Sequence, residues 1–167
     1  TVILNGTDHK IFYAPHDKLK SEKIRLISTS FSPNPKKGFD TYKYIDQNLN
    51  FDRFDYFFAG NSPVKFENIK NLGSLTSNDL ANRLRKSDVF ITASQKDPCS
   101  NSLIEAISCN LHVLALSDGG HTEIIDNADC MFDTRHELLK MLTTCSFSSS
   151  KKQYSIEKSA AAYLDFF

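Results

Sequence analysis

Nowhere in this chain do about 20 apolar residues run together, and no basic segment followed by an apolar one opens it. The sequence therefore offers neither a membrane-spanning helix nor a secretion signal. Charge of one sign is also lacking: twenty Lys and Arg stand against twenty Asp and Glu. That balance excludes the electrostatic footprint of a nucleic-acid binder or a polybasic membrane anchor, so any anionic ligand must be held locally. The four cysteines, Cys99, Cys109, Cys130 and Cys145, form neither a CxxC pair nor a cluster with histidines. Metal is not expected, and the thiols read as reduced side chains of a cytoplasmic protein, two of them in apolar surroundings. There is no P-loop, no GxGxxG, no Ser/His/Asp order, no repeat and no low-complexity tract of consequence.

What is present is a chain of 167 residues, 40% hydrophobic and 24% charged, beginning at Thr1 rather than Met. That start reads as a piece of something longer. A single domain of this length buries roughly 70% of its extended surface. Residues 1–4 read as an entry strand or linker that turns at Asn5-Gly6-Thr7-Asp8, and residues 9–23 have no clean period. Alternation over 23–29 predicts a core strand feeding a Ser- and Pro-rich loop, 30–38. Phe39, Tyr42, Ile45 and Leu49 then recur at helical spacing. Strands are predicted at 55–59, 69–73, 88–93, 111–116 and 128–132. Helices are predicted at 77–86, with Ser77-Asn78-Asp79 as its cap, after residue 100, over 134–144 and over 155–167, with a short element at 122–125. In the last helix Ile156, Ala160, Tyr163, Leu164 and Phe167 share one side, and 145–153 reads as a flexible connection. Strands alternating with helices predict an α/β fold, a parallel sheet covered on both faces, with its ligand crevice at the carboxyl ends of the strands. The polar loops at 30–38, 60–63, 94–101 and 117–121 all follow strands, so they converge on that edge.

The chemistry concentrates between Asp97 and Glu105. Two acids stand eight apart with Pro98, Ser100, Asn101 and Ser102 between them, where a helix begins. A helix start offers unpaired N–H groups and a positive dipole end, suited to phosphate. Asn101 and Glu105 share a helix face, so Glu105 reaches a hydroxyl pair beside the helix start. It fits equally a capping box in which it bonds the Ser102 N–H. Asp97 before Pro98 reads either as a ligand contact or as a turn former. Lys36-Lys37-Gly38 offers a point charge to a diphosphate or is simply a solvated loop. Gly119-Gly120 permits close backbone approach, to a ligand or within a tight turn. His112 reads as a core or edge residue, and His121 as a crevice group or a surface turn residue.

Taken in order, Asn5-Gly6-Thr7-Asp8, Lys37-Gly38, Asn68-Ile69-Lys70-Asn71-Leu72-Gly73, Asp97 through Glu105-Ala106, and Gly119-Gly120-His121-Thr122-Glu123 resemble the nucleotide-sugar-binding half of a retaining glycosyltransferase of GT-B fold, in the glycosyl transferases group 1 family. The resemblance covers nearly the whole chain. It implies a Rossmann-like domain, one half of a GT-B fold, with residues 1–8 as interdomain linker and opening strand, 9–150 as the donor-binding domain and 151–167 as a crossover helix. By the same resemblance Asp97 contacts the donor sugar near the reacting carbon, Glu105 binds the ribose, Ser100, Asn101 and Ser102 present N–H groups to the diphosphate, and Lys37 binds the diphosphate too. Gly38, Pro98, Gly119 and Gly120 complete the expected donor site. Two positions depart from the family: Asp97 stands where Glu is usual, and no Arg precedes Lys37, the loop offering Ser30, Ser32 and Asn34 instead. Cys109-Asn110-Leu111-His112 also replaces the usual Gly and Pro.

The implied reaction moves a sugar from a nucleotide-diphosphate sugar to an acceptor hydroxyl with retention, in glycan or polysaccharide biosynthesis, without metal or other cofactor. The implied partners are that donor and, through an N-terminal domain outside this chain, an acceptor sugar, lipid-linked sugar or glycan. The whole protein would be cytoplasmic or peripheral to a membrane, and these residues alone would bind donor without turnover. The rival readings are a nucleotide-sugar epimerase domain, which shares the architecture, and a non-catalytic nucleotide-binding domain.

Overall fold

The computed structural model describes residues 5–17, 21–144, 147 and 156–164. The opening strand at 1–4, Cys145, nearly all of the 145–153 connection and both ends of the last predicted helix lie outside the described residues.

Six parallel strands form one sheet in the order β3-β2-β1-β4-β5-β6. They are β1 (Ile24–Ser30), β2 (Phe54–Gly60), β3 (Lys70–Asn71), β4 (Val89–Thr92), β5 (His112–Leu116) and β6 (Met131–Phe132). The helices are α1 (Phe39–Asn48), α2 (Ser77–Arg85), α3 (Asn101–Ser108), the single turn α4 (His121–Ile124), α5 (Arg135–Thr144) and α6 (Ile156–Leu164). The longest pairing runs from Ile24 opposite Phe54 to Ser30 opposite Gly60. On its other side β1 pairs β4, Leu26 opposite Val89. The chain leaves β1 in one direction toward β2 and leaves β4 in the other toward β5. The order therefore reverses between β1 and β4, where parallel sheets open a crevice.

Alternate residues of the central strands feed two separate cores, because successive side chains of a strand point to opposite faces. Ile27 and Phe90 join Leu80 and Leu84 of α2 and Leu103 and Ile107 of α3. Leu26 and Ile91 join Tyr42 and Ile45 of α1 and Leu138 and Leu142 of α5. Both faces of β4 are thus covered, which is why all four of its residues are buried and its sequence shows no alternation. Polar groups at the centre of the sheet are paired: the Ser28 hydroxyl bonds Tyr56 Oη and the Ile91 carbonyl, both at 2.7 Å, and Tyr42 Oη accepts from the Ala93 N–H at 3.0 Å.

Two local expectations are corrected. The cap of α2 is Thr76, whose hydroxyl accepts from the Asp79 N–H, and not Ser77-Asn78-Asp79. Residues 128–132 are not one strand: Ala128–Cys130 make a 3-10 turn, with Asn127 accepting from the Asp129 N–H, and only Met131–Phe132 pair with β5. In α6, Ala160 and Leu164 are exposed. No helix among the described residues is long and apolar enough to cross a membrane.

Candidate functional site

The loop leaving β1 is built from short-range bonds. The Asn34 side chain accepts from the Lys36 N–H at 2.9 Å, opening a 3-10 turn over Pro35–Lys37, and Gly38 closes it at φ +78° before α1 begins. This turn lies against the end of β4: the Gln95 N–H donates to the Lys36 carbonyl at 2.7 Å, and a methyl group on Gly38 would stand 2.2 Å from the Ala93 carbonyl oxygen. Two loops are thereby locked backbone to backbone. Their contact brings Lys37 Nζ to 3.1 Å from Asp97 Oδ2.

Asp97 is held from several directions. Its Oδ2 also accepts from the Ser94 hydroxyl at 3.2 Å, and its carbonyl accepts from the Gly120 N–H at 2.8 Å. The loop after β5 presses against it so closely that a methyl group on Gly120 would lie 2.1 Å from the Pro98 carbonyl oxygen, and one on Gly119 2.6 Å from that of Asp97. The close approach that the glycine pair permits is to the neighbouring loop, the tight-turn reading. Pro98, Gly38, Gly119 and Gly120 shape the site from behind and do not line its cavity.

Beyond Asp97 the chain enters α3. The side chain of its cap, Ser100, accepts from none of the helix N–H groups; its hydroxyl meets that of Ser102 at 3.3 Å instead. The first turn is left without a side-chain acceptor, its dipole end toward the cleft. Ser102 lies inside the helix, so the capping box with Glu105 does not form. Among the described residues the Glu105 carboxyl has no hydrogen-bond partner, and burial pushes it up to about 7. Asn101 receives a bond from Asn5, Nδ2 to Oδ1 at 2.8 Å, which ties the start of the described chain to this helix.

These groups surround a cleft of about 410 Å³ at the carboxyl edge of β1 and β4. Lys37, Asp97, Ser100, Asn101, Ser102 and Glu105 all line it. So do side chains that sequence reasoning did not single out: Ser94, Thr92, Tyr42, Leu80 and Phe31. Ser94 and Thr92 were findable as polar groups closing a buried strand at its carboxyl end. A larger hollow of about 930 Å³ lies elsewhere, between the start of β5, residues 127–131 and α5, and none of the predicted site residues borders it.

His121 is not a surface turn residue. It is fully buried, donates from Nδ1 to the Leu116 carbonyl at 2.9 Å, and leaves Nε2 without a partner. Burial lowers its pKa, so the ring is neutral, and it stands outside the cleft lining. His112 is half-buried at the start of β5, its ring 5.2 Å from that of Phe147. Among the described residues, no group of three or more His, Cys, Asp or Glu gathers as a metal site.

Residues 65–141 match the model of the family described as "Glycosyl transferases group 1". No curated protein sequence matches the chain significantly. Among solved structures the chain is similar to a sucrose-phosphate synthase from Thermosynechococcus elongatus, with a TM-score of 0.67 at 18% identity, over 84% of this chain and 42% of that one. It is similar to the C-terminal domain of a glycosyl transferase group 1 family protein, LpcC, from Francisella tularensis, with a TM-score of 0.66 at 16% identity, over 83% of this chain and 86% of that one. A third similar structure is Anabaena HepE in complex with UDP and glucose, with a TM-score of 0.75 at 16% identity, over 99% of this chain and 56% of that one. The chain thus spans about half the length of the synthase and of HepE, and nearly all of the isolated C-terminal domain. The fold is Rossmann-like, that of the C-terminal half of a GT-B glycosyltransferase.

Proposed function

We propose that this chain, whose residues 65–141 match the glycosyl transferases group 1 model and whose fold is that of a GT-B half, is the donor-binding domain of a retaining glycosyltransferase. It holds a nucleotide-diphosphate sugar whose glycosyl group passes to an acceptor hydroxyl in glycan or polysaccharide assembly. The observation that carries this reading is the meeting of Lys37 with the start of α3 in one cleft: a cation and a side-chain-free helix N-terminus on the same cavity. Their combination suits a diphosphate.

In this reading the diphosphate lies on the N–H groups from Ser100 to Ser102 with Lys37 against it, and Glu105, one turn further into α3, accepts from the ribose hydroxyls. As the bond to the sugar breaks, negative charge grows on the departing diphosphate. A fixed cation and helix dipole, already oriented, stabilise that charge without reorganising. Gly38, Gly119 and Gly120 serve by letting three loops close around the cleft, with Pro98 in the contact. The acceptor belongs to a further domain, so these residues alone bind donor without turnover. One protein of similar fold, Anabaena HepE, has been solved in complex with UDP-glucose, which supports a donor of this chemical class.

The test is calorimetry of this chain against UDP, GDP and ADP. One of them should bind and raise the unfolding temperature, by an amount set by RT ln(1 + [L]/Kd). Absence of binding by all three at millimolar concentration overturns the proposal.

A further inference from the structure

One aromatic ring stands exposed on the cleft. Phe31, the first residue after β1, is 71% exposed and lines the cavity. Its ring makes no ring or cation contact among the described residues. The exposure does not come from a loose loop, because the backbone around it is pinned on both sides. The Asn61 side chain donates to the Phe31 carbonyl and the Asn61 N–H to the Ser30 carbonyl, both at 2.8 Å, while the Ser30 hydroxyl donates to the Ser32 carbonyl at 2.7 Å. Gly60 packs against the same segment so tightly that a methyl group there would lie 1.9 Å from the Ser30 carbonyl oxygen. The fold holds a phenyl ring out over a polar cleft.

The strand order says which end of the cleft this is. Phe31 is tied through Asn61 toward β2, on one side of β1. Asp97 is tied through Gly120 toward β5, on the far side of β4. Lys37 and the start of α3 lie with Asp97. Phe31, an all-hydrocarbon side chain of the lining, therefore marks the opposite end. A ligand with its diphosphate on Lys37 and α3 and its ribose on Glu105 has a flat, weakly polar group left to place there.

We infer that Phe31 is the stacking platform for the nucleobase. The inference rests on the donor-binding reading and goes past it by naming the residue that grips the base. A ring so placed binds any base face, so it contributes affinity more than choice of base.

The chain contains no tryptophan, so Phe31→Trp places a single indole at the site. Wild type, Phe31→Ala and Phe31→Trp are titrated with UDP, GDP, ADP and inorganic pyrophosphate by calorimetry, and the tryptophan variant also by fluorescence. Expected are about tenfold weaker nucleotide binding by Phe31→Ala, unchanged pyrophosphate binding by the same variant, and indole emission in Phe31→Trp that changes with nucleotide but not with pyrophosphate. Nucleotide binding by Phe31→Ala within twofold of wild type, or indole emission indifferent to a nucleotide that calorimetry shows bound, overturns the inference and leaves the donor reading standing. Failure of wild type to bind any of the four ligands overturns both. The side chain is exposed, so an unchanged unfolding temperature of the ligand-free variants checks that no effect comes from misfolding.

Discussion

Lys37 and Asp97, sixty residues apart, meet at 3.1 Å between Nζ and Oδ2 because the turn ending at Gly38 is pressed against the end of β4. The pair is partly buried and belongs to a cleft in which one member is suited to an anion and the other opposes it. That opposition gives the two residues different signs in any binding experiment.

Lys37→Ala removes the only cationic side chain that lines the cleft among the described residues and should weaken binding of a nucleoside diphosphate by about tenfold or more, an interaction typical of a charge-assisted bond to phosphate. Asp97→Asn removes a negative charge beside the same phosphate and should strengthen nucleoside diphosphate binding by roughly threefold. Both changes should shrink as salt is raised. Calorimetry at low and high ionic strength checks the pair, and equal losses in both variants would contradict the placement of the diphosphate.

Glu105 gives a dependence on pH. Its carboxyl titrates near 7 in the folded protein because burial disfavours the charge, against 4.5 for an ordinary glutamate. A folded pKa above the unfolded one contributes stability that is full below about 4.5 and is lost as pH rises through 7. At pH 8 the ionised group costs about 2 kcal/mol, discounted for its partial exposure. Glu105→Gln should match wild type near pH 4 and be more stable at pH 8, as read by urea titration at both values. Nucleotide affinity should run the other way, rising through pH 7 as the carboxylate becomes a full acceptor, and lose that rise in the glutamine variant.

The loop after β5 supplies a steric prediction. Gly120 has ordinary backbone angles, φ −73°, yet a methyl group on it would sit 2.1 Å from the Pro98 carbonyl oxygen. Gly120→Ala should cost about 2–4 kcal/mol and displace the Asp97 loop. Gly73 is the opposite case, at φ +69° with nothing within 4 Å of the added methyl. Gly73→Ala should cost only about 1 kcal/mol, the strain of a left-handed alanine. Thermal unfolding of both variants separates crowding from backbone strain.

The sequence made the alternation of strands and helices legible because hydrophobic period is a local signal: Phe39, Tyr42 and Ile45 line one face of α1 as their spacing implies. It also placed Lys37 and the residues from Asp97 to Glu105 on one edge, since every polar loop follows a strand. What it could not supply was contact between distant segments. Whether Gly119 and Gly120 open toward a ligand or toward Asp97 depends on a loop more than twenty residues away, and only the approach of the two loops decides it. Whether Glu105 closes a capping box turned on where α3 begins, and Ser100 as cap puts Ser102 two residues too deep. Phe31, a lone aromatic in a Ser- and Pro-rich stretch, carries no period at all.

Asp46 is the clearest case of a residue invisible in sequence. It occupies α1 beside Ile45, where a charge reads as solvent-facing, yet it is buried. Its Oδ1 accepts from the N–H groups of Asn68 at 2.8 Å and Ile69 at 2.7 Å, its Oδ2 from that of Glu67 at 2.8 Å, and its carbonyl from the Asn68 side chain. One carboxylate thus replaces the secondary structure that the segment before β3 lacks, and a buried charge so fully bonded is tolerated where a bare one is not. Asp46→Ala leaves three amides without their acceptor and should cost about 3 kcal/mol or more. Asp46→Asn, which keeps an acceptor oxygen but also turns a donor toward those N–H groups, should recover little of the loss. Urea denaturation measures both, and amide exchange of Glu67, Asn68 and Ile69 should accelerate in the alanine variant before global unfolding does. Unchanged exchange at those three amides would mean that β3 is held by its pairing with β2 alone.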